Sequence, residues 1–144
     1  MLPALNSNGD LPPGIHRTTW TEVEQRFGTG SAARIGAIAT LKHLHDLVVR
    51  TRCLRNFYVF GSFASRGAEP RDVDVLLIMS ADFKVEAGPR ESRTLFSHAN
   101  AQARYGASVF WIREQMLAGA ALQEFLLAFQ TRRDGTLRGI LEVA

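Results

Sequence analysis

The sequence predicts an α+β fold in which a mixed sheet is flanked by helices, and three observations carry that expectation. Apolar runs of strand length and segments of helical periodicity follow one another along 144 residues in the order helix, helix, strand, strand, helix, strand, helix, strand. The first two strands are separated by about a dozen residues without a helical repeat. That is too little for the helical crossover of a parallel pair, so they are expected to run antiparallel while later strands are reached through helices. Finally, the strand ending Val59-Phe60 stops at Gly61-Ser62, and the next opens with aspartates at alternate positions, Asp72 and Asp74. Aspartate is depleted from strands, so this placement points to a function.

The elements follow in order. Residues 1–14, with Asn6-Ser7-Asn8-Gly9 and Leu11-Pro12-Pro13-Gly14, read as an irregular lead-in. Thr19 and Glu22 have the spacing of a capping box, and Trp20, Val23 and Phe27 share one face of a short helix that stops at Gly28. Ser31 caps a longer helix reaching about Arg52, with Ile35, Ile38, Leu41, Leu44 and Val48 turned inward. Arg34, Lys42 and Arg50 are assigned to its solvated face. After the two motif strands, residues 82–93 read as a loop and roughly 91–104 as a helix, followed by the apolar strand Ala107–Ile112. A helix is expected from about Glu114 to Gln130, carrying Met116, Leu117, Leu122, Phe125, Leu126 and Phe129. Asp134-Gly135 is a turn signal before a last strand over Leu137–Val143. With no repeat or low-complexity linker, residues 1–144 are expected to form one domain.

Composition excludes several classes. Hydrophobic residues at 46% and charged residues at 22% are ordinary globular values. Cys53 stands alone, which rules out a disulfide framework and a cysteine zinc site and suggests a reducing, cytoplasmic compartment. No window approaches the roughly 18 apolar residues of a membrane span, and the opening residues do not have the pattern of a signal peptide. The formal charge of +3 suits an anionic ligand such as a nucleotide without implying nucleic acid. His16, His43, His45 and His98 lack metal-ligand spacing, and the aromatic residues fall at core spacings.

The chemistry is concentrated in Phe60-Gly61-Ser62 and Asp72-Val73-Asp74-Val75. Residues two apart on a strand share a face, so Asp72 and Asp74 lie about 6.6 Å apart and can converge on one divalent cation or a pair. Gly61 lets a ligand approach the main chain, and Ser62 adds an amide and a hydroxyl, a turn able to hold triphosphate oxygens. Magnesium typically takes one or two protein carboxylates together with substrate phosphates, which fits this pair. Arg66, in the connecting loop, reads equally as a phosphate ligand or a solvated arginine.

These residues resemble the motif of the nucleotidyltransferase superfamily that includes DNA polymerase beta and the bacterial minimal nucleotidyltransferases: an apolar residue, Gly, Gly or Ser, a spacer, then Asp, apolar, Asp or Glu, apolar. The Arg66-Gly67 pair is similar to the minimal group. The opening Leu-Pro-Pro-Gly and the closing Arg-Asp-Gly also look like features of an uncharacterised group of short bacterial nucleotidyltransferase-like proteins. The resemblance implies a nucleotidyltransferase-like mixed sheet, with Gly61, Ser62 and Arg66 binding the nucleoside triphosphate and Asp72 and Asp74 holding Mg2+ or Mn2+ as catalytic ligands. It implies transfer of a nucleoside monophosphate to a hydroxyl on a protein, an RNA end or a small molecule, and, by analogy with minimal relatives, a toxin-antitoxin setting with a protein partner. Active members carry a third carboxylate on a later strand. Here Ala107–Ile112 contains no acid: Ser108, or Phe110, takes the expected place. Glu114 just beyond reads either as a substitute ligand or as a helix-start acid. The competing reading is therefore a non-catalytic protein that retains the fold for nucleotide binding or protein interaction.

Overall fold

The computed structural model describes residues 1–67, 69–70 and 72–144. Arg71, which opens the acidic half of the motif, and Ala68 lie outside the described residues. Strands β1 (Ile15–Thr18), β2 (Leu54–Phe60), β3 (Val73–Met79), β4 (Ala107–Arg113) and β5 (Ile140–Val143) form a mixed sheet in the order β1-β5-β2-β3-β4. Helices α1 (Trp20–Phe27), α2 (Ala32–Val49), α3 (His98–Tyr105) and α4 (Ala120–Gln130) flank it. This is the α+β arrangement with a mixed sheet flanked by helices that the sequence predicts. β2 and β3 run antiparallel, whereas β3 and β4, joined through α3, run parallel.

Each strand end is set by local chemistry. The caps of α1 and α2 are those expected: Thr19 accepts a hydrogen bond from Glu22 N and Ser31 one from Arg34 N. The carboxylate of Glu22 does not complete a capping box; it accepts from Thr18 Oγ1 at 2.8 Å and Leu2 N at 2.7 Å. The helix expected from 91 is a 3-10 segment, Arg90–Phe96, followed by α3, because Ser97 makes a new cap and accepts from Asn100 N. The helix expected from Glu114 is likewise divided. A 3-10 turn over Glu114–Met116 precedes Gly119, whose φ of 56° breaks the helical path, and α4 starts at Ala120.

Strand β1 was not expected. Residues 15–18 lie between the lead-in and the first helix and carry no strand signal, and their partner lies at the other end of the chain: Ile15 to Thr18 pair in parallel with Ile140 to Val143. The last strand is shorter than expected because Thr131 and Leu137 bridge instead, closing a hairpin over 131–137 with Gly135 at φ 85°.

The sheet buries both faces. Val59, Val75, Leu77 and Leu141 pack against Phe27, Leu41, Leu44 and Val48 from α1 and α2. Tyr58, Leu76, Ile78 and Ile140 pack on the opposite face with Leu126, flanked by Leu122, Phe125 and Phe129 of α4. Ile35, expected inward, is exposed, whereas Arg34, expected on the solvated face, is 7% exposed.

Candidate functional site

The two halves of the motif meet because β2 and β3 pair with Phe60 opposite Asp74. The chain leaves β2 through Gly61, at φ 79°, and enters a 3-10 turn over Ser62–Ala64. The positive φ favours glycine, and a second constraint is steric: a Cβ on Gly61 would overlap Oδ2 of Asp74 and lie 3.1 Å from its Cγ. The missing side chain thus makes room for the Asp74 carboxylate as well as for any ligand.

Asp74 is the ladder partner of Ser108 on β4, so the position beside it carries a hydroxyl. Ser108 Oγ is 3.2 Å from Gln102 Oε1, to which it donates, and Gln102 Nε2 lies 3.5 Å from Asp72 Oδ2. Burial, and then the neighbouring Asp72, push the Asp74 pKa up to about 6, with Arg138 opposing the rise. Asp72 and Asp74 are the two carboxylates here that could hold a divalent cation; Asp72 lines a hollow with Pro70, Tyr105 and Gly106. Among the described residues no three His, Cys, Asp or Glu side chains form a self-sufficient metal cluster.

Gly61, Ser62, Asp74 and Ser108 line one side of an open cavity of about 460 Å³. Arg132, Arg133 and Arg138, from the hairpin before β5, line the other side. Arg132 donates to Asp10 Oδ2 at 2.5 Å, and Arg138 Nη1 lies 3.7 Å from Asp10 Oδ1. Asp10 itself is 3% exposed.

Arg66 is not in this cavity. Its amide donates to Gly9 O at 2.7 Å, its Cβ faces Gly9, and its side chain borders a groove with Leu2, Leu5, Glu22 and Arg26. Glu114 cannot substitute for a β4 acid. It follows the far end of that strand, six residues beyond Ser108 and roughly 20 Å away at about 3.3 Å per residue, and pairs with Arg55 at 2.9 Å.

Sequence reasoning missed Arg34, Asp10 and the hairpin arginines. Arg34 donates to the carbonyls of Phe27 at 3.1 Å, Phe63 at 3.0 Å and Ser65 at 2.7 Å, and also to that of Gly67. It ties the Gly61–Gly67 loop to the start of α2. Its signal was present: Arg34 precedes Leu41 and Val48 by whole heptads and so lies on the buried stripe. No local signal marks Asp10, Arg132 or Arg138, whose association spans most of the chain.

The fold and site define a mixed α+β protein in which a Gly-Ser turn and Asp74 face an arginine-lined cavity, while Asp72 lines a separate hollow with Tyr105 and Gly106. The chain belongs to the family described as "Family of unknown function (DUF6932)", whose model matches residues 3–144. No curated protein matches it. Among solved structures it is similar to a "putative nucleotidyltransferase" from Sulfolobus solfataricus, at 19% identity over 62% of this chain and 82% of the other, with a TM-score of 0.31. No helix among the described residues is long and apolar enough to cross a membrane.

Proposed function

We propose that the protein binds a nucleoside triphosphate with Mg2+ or Mn2+, in the manner of a nucleotidyltransferase. The observation that supports it best is the shared cavity, where the Gly61-Ser62 turn and the Asp74 carboxylate face three guanidinium groups. Asp72 and Asp74 hold the divalent ion, which when bound neutralises phosphate charge. Gly61 and Ser62 offer the main chain and a hydroxyl to the phosphates. Attack of an acceptor hydroxyl on the α-phosphate would release pyrophosphate; the acceptor is a protein side chain, an RNA end or a small molecule. A toxin-antitoxin setting with a protein partner belongs to the same reading by analogy.

The pairing of Ser108 with Asp74 favours a second reading, in which the fold serves as a nucleotide-binding or protein-interaction module with little turnover. No β4 carboxylate stands ready to activate a hydroxyl, and Glu114 is at the wrong end of the strand.

Calorimetry with an NTP in the presence of Mg2+ and in EDTA tests the binding step. Binding is expected only with the metal, because the two aspartates otherwise repel the phosphates. Equal affinity in EDTA would sink the metal assignment. A labelled-NTP assay against RNA, protein and the chain itself then separates the enzyme from the module.

A further inference from the structure

We propose that Arg132 and Arg138, organised by the buried carboxylate of Asp10, form with the neighbouring Arg133 a polyphosphate clamp that takes the β- and γ-phosphates of the nucleotide. The choice of a nucleotide rests on the proposed function; the existence of a polyphosphate site does not.

The guanidinium groups are arranged for a ligand. Where arginine has a structural task here its donors are consumed by the protein, as Arg34 shows with four main-chain carbonyls. Arg132 and Arg138 instead converge on one carboxylate, although one guanidinium would neutralise it. Both side chains line the cavity, and their contacts to Asp10 engage only Nη1 of each five-donor fork. Their side chains are 36% and 22% exposed, which leaves them accessible. Arg133 is exposed beside them and lines the same cavity and an adjoining hollow of about 340 Å³. The one acid of the hairpin, Asp134, is occupied by its own turn and accepts from Thr136 N at 3.0 Å and Thr136 Oγ1 at 2.6 Å.

Asp10 also links this hairpin to the Gly-Ser loop. Its backbone bridges Ser65, and Asn6 holds it through Asn6 N to Asp10 O at 2.8 Å and Asp10 N to Asn6 Oδ1 at 3.1 Å. Planar forks held this way match phosphate oxygens bidentately. Several guanidiniums around one open cavity need more than a single phosphate to satisfy them. A triphosphate is therefore favoured over a diphosphate, and both over a monophosphate.

The test uses two backgrounds. In the Asp72→Asn/Asp74→Asn protein, where carboxylate repulsion is gone, inorganic tripolyphosphate should bind without metal and phosphate should bind at least about ten-fold more weakly. Adding Arg138→Gln should weaken tripolyphosphate roughly ten- to a hundred-fold, with Arg138→Lys intermediate. Arg133→Gln, on an exposed side chain that does not threaten folding, should cost about two- to five-fold. Asp10 is a positioning residue: Asp10→Asn should speed the rotation and exchange of the Arg132 and Arg138 Nη protons, read by NMR, because Nη1 of each faces that carboxylate.

Absence of tripolyphosphate binding, or affinity unchanged in both Arg133→Gln and Arg138→Lys, overturns the clamp. Wild-type protein separates the two readings. Mg-NTP binding that survives Arg132→Gln/Arg138→Gln refutes the clamp and leaves the nucleotide site standing. Arginine-dependent tripolyphosphate binding without any Mg-NTP binding upholds the clamp and refutes the nucleotide.

Discussion

Asp74 concentrates the cost of this site in a single residue. Its carboxyl titrates near 6 in the folded protein against a usual 3.8, chiefly through burial and next through Asp72. Between those pH values the folded chain binds more protons than the unfolded one, so stability falls as pH rises from about 4 to 6. Above pH 6 the ionised carboxylate is a net burden. Asp74→Asn should therefore stabilise the protein by about 1–2 kcal/mol at pH 8, after discounting for partial solvent exposure, and by nearly nothing at pH 4. Thermal melts of both proteins across that range check it, and an equal gain at pH 4 and pH 8 would show that charge is not the cause. Gly61 belongs to the same account: a side chain there would displace the carboxylate whose burial creates the shift.

At the level of elements, the loop between β2 and β3 is held less by its own turn than by the start of α2. Removing the guanidinium with Arg34→Met leaves the carbonyls of Phe27, Phe63, Ser65 and Gly67 without that donor. A loss of about 3 kcal/mol in urea unfolding is expected, together with faster amide exchange at Arg66, whereas a solvated arginine would cost under about 0.5 kcal/mol. Much of the fold was legible because its signals are local. The Thr19 and Ser31 caps, the Gly61 strand end and the apolar runs of β2, β3 and β4 each declare themselves within a few residues. What was illegible depends on distant partners. β1 is stabilised by β5, and the cavity arginines are fixed by Asp10, more than a hundred residues away. The candidate aspartates and the Gly-Ser turn were readable as a motif, but the basic side of the cavity was sought at Arg66 because that arginine was nearest in sequence.

The molecule as a whole brings segments from both ends of the chain to the edge of one sheet, yet leaves one rung of the ladder without an acid. β5 lies between β1 and β2 and begins two residues after Arg138, so the arginines are anchored to a central strand while Asp74 and Ser108 sit across the cavity on β3 and β4. If a missing carboxylate limits transfer, Ser108→Asp supplies it at the position paired with Asp74. Without metal at pH 8 this variant should be less stable than wild type by about 1 kcal/mol, because a third negative charge joins two others. With Mg2+ or Mn2+ the order should reverse, and transfer of label from the NTP should rise at least about ten-fold as the acceptor hydroxyl gains an activating group. Glu114→Gln is the control: its carboxylate pairs with Arg55 at the far end of β4, so neither stability with metal nor transfer should change. Rapid wild-type transfer that is unaltered by Ser108→Asp would overturn the argument, since the hydroxyl would then be activated by a group that the acceptor itself supplies.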